Sequence, residues 1–424
     1  MKRKTATTLP IFIALLFALT PSSAQFKIDA QLRDRGELRN GYQALAPEGA
    51  VPCMLISQRM RCSFQYETED LKLIFTPQDV RIWGDEQLSS STGVYGDDAS
   101  LTLFEGFAEL KLNKDLSFSL GRQQLAYDNQ RLLSARNWNQ NGMAYDAAVI
   151  SYHDQTWNAN LGGSWNTFKE SSLNNFYPSK RIKSLNFLRL NRTLNTSLNL
   201  SFLHISSGST ATDTTNTLFF KHTTGFYSQF KTEKINIWAD AYYQYGKSQK
   251  EMKVKAFLFD ADASYRSGIL HCGVGFGYLS GNPISGNGQT SEQLFDLLYG
   301  TRHSYFGGLD FFNNIATSTV QAGLIDYYFY LDLSLSKQLV VINTGHYFQL
   351  AQINSSSPAN KNLGFENDFL VKYKMNSWSN LETGFLFMLP TTSLKAIQGL
   401  NESEFTHFVY LQLTIVPSLF NSKN

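Results

Sequence analysis

Arginine recurs at alternate positions near the start of the chain. Arg33, Arg35 and Arg39 share one parity with Lys27, and Arg59 and Arg61 repeat the spacing farther on. Arg81, Arg122, Arg131 and Arg136 follow. A guanidinium is a rigid planar fork of donors that meets carboxylates bidentately and holds its charge at every relevant pH. A row of them facing one water-filled space would favour an acidic solute. The same residues could equally pair with Asp29, Glu37, Glu105 and Glu109 and only brace the protein, so both readings stand. Enzyme chemistry has little to work with. The seven histidines are scattered without metal-ligand spacing. Gly273, Gly275 and Gly277 form a GxGxG without the strand–helix setting a dinucleotide needs, and read better as close backbone approach in a strand. No catalytic residue, metal ligand or cofactor is expected.

The elements that must carry these side chains are strands. From Phe26 to Asn40 the odd positions are Lys27, Asp29, Gln31, Arg33, Arg35, Glu37 and Arg39, whereas the even ones include Phe26, Ile28, Ala30, Leu32 and Leu38. Side chains alternate across a strand, so one face is polar and the other mostly apolar. This run exceeds a usual globular strand but suits a tilted one that crosses a membrane. Met54 to Glu67 sets Ser57, Arg59, Arg61 and Gln65 against Ile56, Met60, Phe64 and Tyr66. Thr156–Asn166 and Glu233–Gly246 behave likewise, and Trp157, Trp165, Tyr243 and Tyr245 suit aromatic girdles at membrane interfaces. Aromatic content of 14% with only 10 prolines favours strands throughout.

Connections alternate in length. Eight short polar links, such as Asn113-Lys114-Asp115 and Ser336-Lys337-Gln338, alternate with nine longer ones near 41–53, 84–100, 125–142, 167–181, 206–216, 247–252, 281–321, 351–362 and 390–404. Short turns at one rim and long loops at the other mark an outer-membrane barrel. The expected fold is an all-β, antiparallel up-and-down transmembrane barrel of eighteen strands, with sixteen as the alternative. Both chain ends then lie on the periplasmic side. Phe405–Val416 is the expected closing strand, with Phe420 standing close to where a terminal aromatic belongs. Within 281–321, Asn282–Thr290 reads as a flexible tip, whereas the apolar Leu294–Phe312 should pack and narrow the pore.

Lys2, Arg3 and Lys4, the apolar run Ile11–Thr20 and Pro21-Ser22-Ser23-Ala24 make a secretory leader cleaved after Ala24. The chain thus divides into residues 1–24, a signal peptide, and 25–424, the barrel. Loss of three basic residues takes Lys+Arg from 37 to 34 against 35 Asp+Glu, so the net charge moves from +2 to −1. A general nucleic-acid surface is not supported. Cys53, Cys62 and Cys272 have no metal-like spacing, and a Cys53–Cys62 bridge is conceivable in an oxidising compartment.

Two segments carry a resemblance. Gly121–Ala148 (GRQQLAYDNQRLLSARNWNQNGMAYDAA) is similar to the signature of the alginate export family of outer-membrane porins, with Gly121, Arg122, Gln123, Asp128, Gln130, Arg131, Leu132, Trp138, Tyr145 and Asp146 in matching places. Met143 stands where that family often has arginine. Phe295–Phe312 resembles a second family segment through Leu298, Tyr299, Gly300, Thr301, His303 and Asp310. The resemblance implies an eighteen-stranded barrel in the outer membrane, in contact with its lipid, passing an acidic polysaccharide through an arginine-rich constriction. The expected partners are an anionic saccharide or small acidic solute and periplasmic export or uptake proteins. The expected pore-lining residues are Lys27, Arg33, Arg35, Arg39, Arg59, Arg61, Arg81, Arg122, Arg131 and Arg136. A non-selective diffusion porin, or an adhesin with a blocked lumen, are the other functions such a barrel could serve.

Overall fold

The computed structural model describes residues 24–84, 101–283, 291–354 and 356–423. The leader, most of the loop expected at 84–100 and most of the glycine-rich tip fall outside them. The first half of the wall runs β1 (Gln25–Asn40), β2 (Cys53–Glu67), β3 (Leu71–Ile82), β4 (Leu101–Lys111), β5 (Leu116–Gln123), β6 (Tyr145–His153), β7 (Trp157–Trp165), β8 (Ser184–Thr193) and β9 (Leu198–Thr210). It continues through β10 (Leu218–Lys231), β11 (Ile235–Lys247), β12 (Lys253–Ser267) and β13 (Leu270–Leu279). A two-residue β14 (Ser291–Glu292) sits in the long loop, and β15 (Leu324–Ser334), β16 (Leu339–Leu350), β17 (Asn362–Lys374), β18 (Ser379–Pro390) and β19 (Thr406–Ile415) complete the wall.

Each wall strand pairs antiparallel with the next, and β13 skips β14 to pair with β15. The ring closes where β1 meets β19, with Leu32 opposite Ile415 and Asn40 opposite His407. Setting β14 and the four-residue β20 (Ser418–Asn421) aside leaves eighteen wall strands, as expected. Pro417 interrupts the closing strand, because proline cannot donate to a ladder. Pairing resumes in β20, where Phe420 lies opposite Ile28 after a register shift. The terminal aromatic is thus inside the sheet, with its ring 6.2 Å from Phe26.

Alternation sorts the faces. On β1 Arg33, Arg35 and Glu37 are buried, while the other parity is more open, with Leu38 39% exposed. Across the molecule large apolar side chains face outward in numbers no soluble monomer shows, among them Met60, Phe75, Leu120, Phe226, Phe257, Val274 and Leu411. They form the lipid belt of a membrane-spanning barrel. Among the described residues no helix is long and apolar enough to cross a membrane. Two short ones, α1 (Ile315–Ser318) and α2 (Thr392–Ile397), lie in outer loops. Cys53 and Cys62 are both free thiols on β2. Nine residues of strand hold them about 30 Å apart at ~3.3 Å per residue, so the conceivable bridge does not form.

Candidate functional site

The inner wall is not polar throughout. Toward the rim of long loops its inward side chains are Leu185, Phe187, Leu203, Ile205, Val254, Ala256, Leu258, Phe348 and Met388, all buried. What buries them is the chain itself. Residues 124–144 and 293–323 fold into the barrel, bringing Leu125, Leu132 and Leu133 from the first loop and Phe295, Leu297, Phe306, Leu309, Phe311 and Phe312 from the second. Each such side chain taken from water contributes roughly 1.5–3 kcal/mol. The packing expected of Leu294–Phe312 is therefore observed.

The arginines of β1 and β2 point inward, as their parity requires, but meet a loop backbone instead of a solute. Arg33 donates to Gln140 Oε1 at 2.8 Å and to the carbonyls of Asn137, Trp138 and Asn139 at 2.6, 3.2 and 3.0 Å. Arg59, with no exposed surface, donates to the Gln140 carbonyl at 3.3 Å, and Arg61 reaches the Asn141 carbonyl at 3.0 Å. Arg35 pairs with Glu37 at 2.7 Å and covers the Trp138 ring at 4.1 Å. Arg39 donates to Glu37 at 2.7 Å and stacks over Tyr42. The His303 ring lies parallel to Trp138 at 3.9 Å, so Trp138 is sandwiched between Arg35 and His303. Bracing is what these arginines do, and of the acids expected to pair with them only Glu37 takes part in the bonds above.

The opposite wall is acidic. Asp240 on β11, Asp260 on β12, Asp326 on β15 and Glu366 and Asp368 on β17 all face inward and are buried. Arg131 of the first loop spans Asp260 at 2.5 and 3.1 Å beneath the rings of Tyr305 and Phe306. Burial lowers the Arg131 pKa, yet Asp260 more than restores it and holds the guanidinium charged. Asn129 donates to Asp240. Backbone N–H groups of Gly308 and Leu309 donate to Asp368 and Glu366 at 2.8 and 2.7 Å.

The two segments that resemble one family touch each other. Ser134 Oγ donates to the Tyr299 carbonyl at 2.7 Å, the Thr301 N–H to the Gln130 carbonyl at 3.0 Å, and Tyr305 Oη to the Asn129 carbonyl at 2.6 Å. Gly300 allows this approach, because a Cβ there would stand 1.9 Å from the Arg131 carbonyl oxygen. Asp128 accepts from Arg189 and Ser201, and Asp310 accepts from Tyr42 and meets His303 at 3.1 Å. Asp128, Gln130, Arg136, Leu298 and Asp310 all hold positive φ. Non-glycine residues tolerate that strain only where their surroundings over-determine it.

Four expected pore-lining residues need correction on position. Arg122 has the outward parity of Leu120 and forms a bidentate pair with Asp146 at 2.9 and 2.7 Å on the outer face. Arg81 lies opposite Gln58, two positions from the pairing of Asp79 with the outward Met60, and pairs with Asp79 at 2.7 Å, so it too faces outward. Arg131 and Arg59 face inward but are sealed from any solute. Lys27 stays inward near the turn rim, paired with Asp29 at 2.6 Å. Arg33 and Arg136 retain access to open space, one on each side of the loops.

Two spaces remain. On the loop side, adjoining cavities of about 390 and 520 Å³ form a vestibule. Its cations are Lys180, Arg181, Lys221, Lys247, Lys250, Arg136 and Arg302, against Glu292 and Asp296. Lys221 engages both acids, at 4.0 and 3.2 Å. Among the described residues no salt bridge occupies Lys180, Arg181, Lys247 or Lys250. Packing around Asp296 pushes its carboxyl up, but Lys221, the Leu298 N–H and Arg302 outweigh this and hold it below the usual range. Burial lowers Arg302 to about 10, still charged at neutral pH. On the turn side a chamber of about 630 Å³ is lined by Trp238, Tyr305, Tyr328, Tyr330 and Tyr410 together with Arg33, Asp262 and Glu382. The vestibule lysines, the inward acids and these aromatics were missed by a reading centred on arginine. The acids had a signal: Asp260 with Asp262, and Glu366 with Asp368, keep the two-residue spacing of one strand face.

Solved structures with this architecture include Pseudomonas aeruginosa OccK3 (OpdO), with a TM-score of 0.62 at 11% identity over 93% of this chain and 96% of that one. P. aeruginosa OpdL gives 0.61 at 12% identity over 93% and 99%, and Acinetobacter baumannii OccAB4 gives 0.61 at 11% over 94% and 100%. At such identity the likeness is one of fold. No curated protein matches the sequence significantly. The profile of the alginate export family matches residues 24–383. Barrel, lipid belt and interlocked signature loops agree with that match: the chain is an outer-membrane porin and belongs to the alginate export family.

Proposed function

We propose that this porin conducts acidic saccharides or small acidic solutes, and that the loop-side vestibule performs the selection. In this reading the arginine row of β1 and β2 is not the selecting element, because its guanidinium groups are largely held by loop carbonyls and by Glu37. The observation that carries the reading is the vestibule's seven cations against two acids, both acids already engaged by Lys221. A recess lined by one sign of charge between low-dielectric walls focuses the field and concentrates counter-ions. Such a mouth gathers carboxylates and repels cations.

Reversal potentials across planar bilayers under a salt gradient test this. The expected result is anion preference that falls severalfold when Lys180, Arg181, Lys247 and Lys250 are changed together to glutamine. Acidification adds a second arm. Protonated carboxylates cancel less positive charge, so anion preference rises as pH falls. Asp296, held below its usual range, makes its contribution later in the descent than an ordinary aspartate would. Cation preference in the unmodified protein, or no response to the four substitutions, would overturn the reading. Equal permeation of neutral and acidic sugars would favour a general diffusion porin.

A further inference from the structure

The aromatic chamber on the turn side lies apart from the vestibule, and part of its wall sets glycines against tyrosines. β13 carries Gly273 and Gly275 on its inward face, directly opposite Tyr330 and Tyr328 of β15. A Cβ on Gly275 would fall 2.0 Å from Tyr328 Cζ, and one on Gly273 2.5 Å from Tyr330 Cζ. The two rings therefore reach across bare backbone, into space that a side chain on either glycine would fill. Their planes differ by 19° with centroids 6.4 Å apart, so the two rings are nearly parallel neighbours along the strand. Tyr330 Oη is anchored on Asp262 at 3.2 Å. Both side chains line the open chamber, with the His346 ring 5.6 Å from Tyr328 and the His271 ring 5.3 Å from Tyr330.

We propose that the Tyr328–Tyr330 strip is a binding subsite for sugar rings. A pyranose presents C–H groups on one face and hydroxyls around its edge. A flat aromatic surface with acceptors and donors at its margin matches both features. Asp262 and His271 supply polar groups beside Tyr330, and the ion pair of Lys372 with Glu382 lines the same chamber. The subsite deepens the acidic-saccharide reading and rests on it for the ligand class. It divides the work: the vestibule sorts by charge, and the chamber holds rings whatever their charge. Trp138 lines the same space but is already sandwiched, so it is not part of the platform.

Isothermal titration calorimetry on the full barrel folded in detergent tests the subsite without requiring conduction. The probes are a linear tetrasaccharide of uronic acid units, its neutral counterpart, and an open-chain hydroxy acid. The expected result is that both tetrasaccharides bind and the open-chain acid does not. Tyr328→Leu and Tyr330→Leu, which keep apolar bulk but lose the flat ring, should each weaken tetrasaccharide binding about tenfold. Tyr328→Phe and Tyr330→Phe should stay within about threefold, and they separate ring loss from misfolding. Absence of tetrasaccharide binding, or equal binding by the leucine variants, overturns the subsite and leaves vestibule selectivity untouched. Conversely, ring-dependent binding in a cation-preferring barrel would sustain the subsite while removing the charge-selection reading.

Discussion

The two sides of this barrel's interior hold the same pair of loops by opposite means. The β1–β2 side offers guanidinium donors, and the loop answers with backbone carbonyls from Asn137 to Asn141. The β11–β17 side offers carboxylates, and the loops answer with N–H groups and with Arg131. On the acidic side opposite charges meet in full burial. On the basic side Arg33, Arg59 and Arg61 crowd together with neutral partners, and each side keeps buried polar atoms without a hydrogen bond, Arg59 Nε on one and Arg131 Nη1 on the other. The difference teaches that inward charge in a barrel need not address the solute. Here much of it holds the loops, and the proposed selection falls to charge left open at the vestibule.

The sharpest way to break this comparison is the most deeply buried ion pair, Arg131 with Asp260. Arg131→Met should cost about 3–5 kcal/mol, because Asp260 is left buried without its partner. Arg131→Met with Asp260→Leu should recover most of that, since the penalty belongs to the orphaned charge. Denaturant unfolding of the barrel in liposomes reads both. A mild single variant would mean that the acidic wall does not anchor the loop.

On the basic side, Arg33→Gln should cost roughly 1.5–3 kcal/mol, the range for hydrogen bonds from a charged donor. It should also raise single-channel conductance as 137–141 leaves the wall. Arg33→Lys should not rescue, because a point charge cannot span four acceptors in a fixed fork. Unchanged conductance would show that the carbonyl contacts do not set the bore. The smallest effect belongs to the outer face. Arg122→Ala should cost no more than about 1 kcal/mol, as half-exposed pairs do, and leave ion preference alone. A larger change in preference would place Arg122 on the solute's path after all.

Much of the wall was legible because a barrel strand is a local pattern. Period two in Phe26–Asn40 gives the inward parity of Arg33 and Arg35, and link lengths give the strand count. The site was less so. Arg122 and Arg81 sit near strand ends, beside a positive-φ glycine at 121 and a register shift at Thr76/Pro77, where parity is easily lost. Whether an inward arginine meets solute or loop depends on residues a hundred positions away, as Arg33 and Gln140 show. The resemblance marked both loop segments but not their contact. Several of the residues it singled out, Arg131, Gly300 and Asp310 among them, fasten the loops, whereas Arg122 and Asp146 pair on the outer face.

The seam between β1 and the closing strand has a consequence for assembly. Gln25 and Asn421 are hydrogen-bonded across 396 positions of sequence, whereas the other seventeen wall pairings join strands that follow one another along the chain or are parted by a single inserted loop. Hairpins can therefore zip early, but ring closure must wait for the farthest-separated contact in the molecule, which topology makes slow. Until then β1 is an open edge able to template a wrong partner. Pro417 breaks the last strand into two pairing stretches, so closure can proceed in two steps, Thr406–Ile415 and then Ser418–Asn421. The kink at the end of the chain thus acts on the order of events during biogenesis, at a moment when neither vestibule nor chamber yet exists.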